Sequence, residues 1–290
     1  MSSDAEMELI TFLATSHTVT AQFDVAAATL LVWDILLTFD KEVNLVWRAD
    51  WNFMKALYLF QRYLPLLDSV YLTINYQLGI NVGPGECARL IKASGWLAVV
   101  GFATSEVILT LRAWAVWNRN RLLTIILLIL WCGVWIPIAV FEGNFLASLK
   151  LGTPPYAGFL GCFIIGANSD LFLCILLLMI WNIVVFALIA FMGIRINAWK
   201  STSRLSQLIY RDGAIYYFYV FVLSILNVIA IVTFPVGYQF VLLPMERCLH
   251  SILASRVLLN LRLYCHGETT FSERLTDFVI RDLDGSEDSL

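Results

Sequence analysis

The chain has 290 residues, 60% of them hydrophobic and only 14% charged, with a net charge of -3. Soluble domains carry about 25% charged residues, so this chain has too little polar surface to coat a soluble globule. The near-neutral balance also excludes nucleic acid as a bulk electrostatic partner.

The first 20 residues hold Asp4, Glu6 and Glu8 and no Lys or Arg. They read as a short extracellular N-terminus and not as a cleavable leader, which needs a basic start. Phe23–Phe39 is the first candidate span, apolar except for Asp24 and Asp34. Met54–Ile80 is the second, although it holds Lys55, Gln61, Arg62, Pro65 and Asp68; Ala93–Trp117 is the third, interrupted by Glu106 and Arg112. Leu122–Phe141, Leu171–Ile194 and Gly213–Phe234 follow without a charge. Each has the ~20 residues that a helix rising 1.5 Å per residue needs to cross a hydrocarbon core ~30 Å thick. Met245–Tyr264 is the last, with Glu246, Arg247, His250 and Arg256 inside it and Pro244 at a favourable helix start.

The expectation is an all-α polytopic bundle of seven transmembrane helices over residues 21–264, with the N-terminus outside and the C-terminus cytoplasmic. Five or six spans result instead if the second or the last lies in the interface. The basic residues favour seven. With that threading Arg89, Lys92, Lys150 and Arg247 face outward, Arg62 and Arg256 lie in the membrane, and the remaining 13 of 19 face the cytoplasm. That is the bias of the positive-inside rule. Residues 265–290 form a cytoplasmic tail. There Thr270 and Glu273 have capping-box spacing, and Phe271, Leu275 and Phe278 share one helical face. A short amphipathic helix and a frayed tail both fit.

Catalytic patterns are missing. His17, His250 and His266 are not spaced for a metal, the last lysine is Lys200, and no nucleophile elbow or phosphate loop occurs. The reading is a non-enzyme with no metal and no cofactor. Among six cysteines, Cys132 and Cys174 fall inside helices as packing residues, and Cys265 is a palmitoylation candidate or an idle thiol. Cys87, Cys162 and Cys248 fall on the outside; a Cys87–Cys162 disulfide over the bundle mouth is expected, with Cys248 as the competing partner.

Charges in a bilayer normally face the bundle and pair. Counting along the helices puts Arg62 at about 16 Å and Glu106 at about 12–16 Å from the cytoplasmic ends, so Arg62–Glu106 is one candidate pair. Asp34 and Lys55, at about 7 Å and about 6 Å, are another. A clamp setting helix register is the plainer reading of such pairs, a switch or an ion path the functional one.

Two spacings are similar to those of seven-helix G-protein-coupled receptors. The step of 25 residues from Cys87 to Arg112 matches that from the receptors' cysteine to the arginine of their Asp-Arg-Tyr motif, without its acidic neighbour. The step from Asn260 to Tyr264 matches their Asn-Pro-Xaa-Xaa-Tyr motif, without its proline. Arg112, Asn260 and Tyr264 are therefore candidate cytoplasmic switch residues.

Trp33–Trp47 together with Lys55–Tyr63 resembles domain of unknown function 6533, which opens a family of multi-helix membrane proteins of basidiomycete fungi. This front signature covers about residues 23–75; Leu111–Trp117 and Ser255–Arg262 look similar to the same group. The resemblance implies a fungal seven-helix membrane protein and transfers no catalytic or ligand residue. The functional expectation is a receptor-like plasma-membrane sensor with an extracellular ligand and a cytoplasmic signalling partner. Its alternatives are a transporter or channel lined by Arg62, Asp68 and Glu106, and a scaffold for other membrane proteins.

Overall fold

The computed structural model describes residues 3–79, 83–117, 120–152, 159–198, 204–235 and 237–263. Tyr264, Cys265 and the tail expected to coil from Thr270 lie outside them. The described residues build α1 (Ser3–Glu42), α2 (Phe53–Pro65), α3 (Thr73–Leu78), α4 (Pro84–Val116), α5 (Arg121–Ser148), α6 (Asp170–Ala198) and α7 (Arg204–Thr233). A last helix, α8, covers 243–263. A π-helical stretch, Leu66–Leu72, joins α2 to α3 in one rod, so the described residues form seven rods.

α1 starts far earlier than expected. No Gly or Pro falls between Ser3 and Glu42, so no helix breaker interrupts this stretch, and Thr11, Thr15 and Thr18 return their hydroxyls to the carbonyls four residues back. Residues 3–20 are thus the first turns of the bundle and not a separate terminus. α1 ends in a π turn, Val43–Trp47. α2 then starts at Asn52, whose side chain accepts from the Lys55 amide at 2.8 Å.

The π stretch has a local cause. Pro65 has no N–H to give the carbonyl of Gln61 one turn earlier. That carbonyl accepts instead from the Ser251 hydroxyl of α8 at 3.2 Å.

Ile10–Trp47, Gly85–Ala115, Arg121–Ser148, Asp170–Met192 and Ile215–Thr233 are long and apolar enough to cross a membrane. The α2–α3 rod and α8 are the two charged ones. Trp181 and Val185 of α6, Tyr217 and Val220 of α7, Leu109 of α4 and Ala254 of α8 share one core. The bundle closes on itself where Ala27 and Leu31 of α1 meet Cys248 and Ile252 of α8. α4 runs through the middle and packs on α2, α5 and α6. At one end a two-stranded hairpin, β1 (Lys150–Leu151) and β2 (Ile164–Gly166), pairs antiparallel with Leu151 opposite Ile164.

Candidate functional site: a capped cavity above a buried polar column

A cavity of about 830 Å³ opens at the hairpin end. It is lined by the N-terminal halves of α1, α4, α6 and α8 and by the C-terminal ends of α3, α5 and α7, so successive rods alternate in direction. The volume lies within the ~300–1,000 Å³ typical of small-molecule sites. Cys87, at the start of α4, is bonded to Cys162, with Cα atoms 5.7 Å apart. Cys162, Phe163 and Ile164 form part of the cavity wall, and the Gly161 amide bonds the Gly79 carbonyl at 2.9 Å. Gly161 has φ 83°, a left-handed value that favours glycine. The structure thus brings Cys87 and Cys162 together and fixes the hairpin over the cavity. Cys248 does not compete: it is free and fully buried in α8, not on the outside.

Most of the cavity wall is apolar, with Phe102, Trp135, Phe145, Phe172 and Ile231 among its residues. Its charged groups sit on α1, the α2–α3 rod, α5 and α8. Arg247 gives two hydrogen bonds to one oxygen of Asp68, from Nε at 3.1 Å and Nη2 at 2.8 Å. Ser69 supplies the other Asp68 oxygen at 2.6 Å. Arg247, expected to face outward, is instead buried, because this pair and the Phe102 ring 5.6 Å away take its guanidinium. The absent side chain of Gly101 makes room: a Cβ there overlaps the guanidinium. On the α1 side Gln77 donates to Asp24 at 2.8 Å. On α5 the Glu142 carboxylate lies 2.8 Å from where a Gly95 Cβ would stand.

Below the cavity a column of polar groups continues along α8 and its neighbours. His250 lies between two acids, Nδ1 3.4 Å from Glu106 and Nε2 3.9 Å from Glu246. Glu246 accepts from Ser224 at 2.7 Å and Asn227 at 2.8 Å, and Asn182 donates to Ser224 at 2.7 Å. One turn deeper, the Gln61 amide donates to Ser105 of α4 and to the Ser251 carbonyl of α8, both at 3.2 Å, and accepts from Ser255. Three rods meet on this one side chain.

Arg62 does not reach Glu106. It donates to Asp34 at 2.6 Å and to Thr38 at 2.5 Å, and lies 3.6 Å from Glu42. Depth along the rod allows either partner; direction around it decides. Successive helical residues point about 100° apart, so Gln61 turns towards α4 while Arg62 turns towards α1. Arg256 of α8 adds a second bond to Asp34, at 2.5 Å, leaving two arginines against Asp34 and Glu42.

Nor does Lys55 reach Asp34. It lies two turns, about 10 Å, nearer the start of α2 than Arg62 on the same face. Its ammonium donates to the carbonyls of Trp47 at 2.9 Å and Ala49 at 2.6 Å, and covers the Trp51 ring at 4.6 Å. Of the candidate switch residues, Arg112 donates to the Val257 carbonyl at 2.6 Å and Asn260 to the Tyr216 hydroxyl at 3.3 Å. Both contacts tie α8 to its neighbours at the end opposite the cavity, where Arg262 also holds the Leu45 carbonyl at 2.9 Å.

Asp24, Glu142, Glu246 and Arg247 were not singled out from the sequence as site residues. The available signal was their charge inside stretches that must be buried; the partners of Asp24, Glu246 and Arg247 lie up to 179 residues away. No group of three or more His, Cys, Asp or Glu among the described residues is arranged to hold a metal ion.

An apolar exterior around a charged interior, on helices long enough to span a bilayer, defines a multi-pass membrane protein. Residues 22–67 match the model of a family described as of unknown function, DUF6533. That stretch covers α1 from mid-helix, the π turn and α2, including Asp34, Glu42 and Arg62. No curated protein matches the chain.

Proposed function

We propose that the chain is a receptor-like seven-helix sensor of the plasma membrane, from the fungal group its front signature resembles, and not an enzyme. The α2–α3 rod and α8 complete the spans, the cavity faces outside, and the opposite end meets a cytoplasmic signalling partner. Lys41, Arg48, Arg112, Arg121 and Arg262 near that opposite end support the orientation. So does the disulfide at the cavity end, which suits an oxidising compartment.

One observation carries the reading: the cavity and the far end share a single rod. Arg247 of α8 lines the cavity, and 15 residues further on, about 22 Å along the helix, Arg262 holds the end of α1. A ligand that disturbs Asp68–Arg247 moves α8, which loads Arg256–Asp34 and Asn260–Tyr216. The sensor reading gives the chain the same plan as G-protein-coupled receptors.

The test is distance measurement by spin labels at Trp117 and Leu263 in lipid nanodiscs. Arg247→Leu is expected to shift the distance distribution, while the lipid-facing Leu128→Ala leaves it alone. Identical distributions in all three proteins remove the sensor reading.

Transport is the second reading, favoured by the π-wound break at Leu66–Leu72 and the Glu106–His250–Glu246 cluster below it. It requires solute or proton flux into proteoliposomes that Glu106→Gln abolishes.

A further inference from the structure

We propose that the cavity binds an organic cation, a protonated amine on an apolar body, with its ammonium group at Asp24. The assignment deepens the sensor reading by naming its ligand class. The wall contributes three acids, Asp24, Asp68 and Glu142, against one guanidinium, and that guanidinium belongs to Asp68. Asp68 is satisfied on both oxygens, by Arg247 and Ser69.

Asp24 is 2% exposed and uses only Oδ2, for Gln77; its Oδ1 has no hydrogen-bond partner, and neither has the Gln77 Oε1 beside it. Two idle acceptors, one of them acidic, therefore belong to residues of the cavity wall, both covered by neighbouring atoms in this conformation. Glu142, on α5, is 5% exposed, and no hydrogen bond or ion pair among the described residues reaches it. An acid buried without a cation is costly in a membrane interior, and a second one in the same cavity repeats the cost.

A bound ammonium removes that cost at Asp24, donating to Asp24 Oδ1 and Gln77 Oε1 once a side-chain rotation uncovers them, while the apolar body lies against Phe102, Trp135 and Phe172. An anionic ligand does the reverse, leaving both acids unpaired and adding charge of the same sign. A bare metal ion is also a poor fit, since the acids stand apart: α1 packs on α3 and the π stretch, α5 on α4 and α6. An amine needs one carboxylate, and Glu142 remains for a hydroxyl or second amine at the other end of the cavity.

The experiment compares three probes of one shape, 4-phenylbutylamine, 4-phenylbutanol and 4-phenylbutyrate, by thermal shift of the full chain in nanodiscs. The amine is expected to stabilise saturably at concentrations about ten-fold lower than the other two. Asp24→Asn is expected to erase that preference; Glu142→Gln alone is expected to reduce it. Equal action of the three probes, preference for butyrate, or no shift with the amine overturns the proposal. So does a preference that survives Asp24→Asn. The comparison on the unaltered chain needs no variant to fold. It is also independent of the spin-label test: amine binding without motion at the far end sinks the sensor and keeps the ligand class, and motion without amine binding does the opposite.

Discussion

α5 has no charge between Leu122 and Phe141 and turns Leu122, Ile125, Leu128, Ile129 and Ile136 outward. α8 holds Glu246, Arg247, His250 and Arg256, and buries the first three almost completely. In water the assignments would be reversed, with the apolar helix inside and the charged one exposed. In lipid, exposure costs an apolar side chain nothing, whereas a polar group must find its partners within the protein. Hydropathy therefore understates the charged rods, although it does not order the others by lipid contact: α6 is the most apolar span yet is more buried than α5. The rods it ranks lowest, α2–α3 and α8, are the ones that organise the interior.

The contrast breaks most severely at Arg62. Arg62→Met keeps the length of the side chain but leaves buried Asp34 with only the half-exposed Arg256, and buried Glu42 with only the neutral Tyr63 hydroxyl and Trp47 indole. A loss of about 3–5 kcal/mol is expected, read as failure to accumulate or as a large drop in melting temperature. Cys87→Ser frees the hairpin; with the cysteines 75 positions apart, about 2–4 kcal/mol should go, with the cavity end becoming accessible to thiol reagents at Cys162.

Gly101→Ala is subtler. The new methyl takes the place of the Arg247 guanidinium, and an overpacking cost of about 1–3 kcal/mol is expected. Because the strain falls on one ion pair, Asp68→Asn combined with Gly101→Ala should cost less than the two changes summed, a coupling that a double-mutant cycle measures. Leu128→Ala and Ile129→Ala sharpen the other side of the comparison: within about 0.5 kcal/mol of the unaltered protein, as expected for sites outside any packed core. An effect as large as that of Arg62→Met at these positions would mean that α5 faces a protein partner instead of lipid.

The sequence was readable wherever one helix suffices. Uninterrupted apolar length marks α5 and the apolar parts of α6 and α7. The absence of Gly and Pro up to Glu42 also fits an α1 that runs back to Ser3. Arg62 and Glu106 show where readability ends. Their depths follow from residue counting, but direction around the rod depends on how three helices meet, and Gln61, one position earlier, takes the place facing α4. Asp68–Arg247 lies further still from local pattern, since it depends on the last helix closing the ring against the second rod.

Pro65 has a consequence for assembly. By withholding one amide proton it leaves the Gln61 carbonyl open, and only Ser251 at one particular height fills it, while the same glutamine's side chain engages α8 again and α4. Slide the second rod by a single turn against α8 and several polar atoms lose their partners together, in a solvent that supplies no substitutes. A defect in one helix's own ladder thus becomes the notch that indexes two neighbouring helices, fixing which face of each meets the other after all have entered the bilayer.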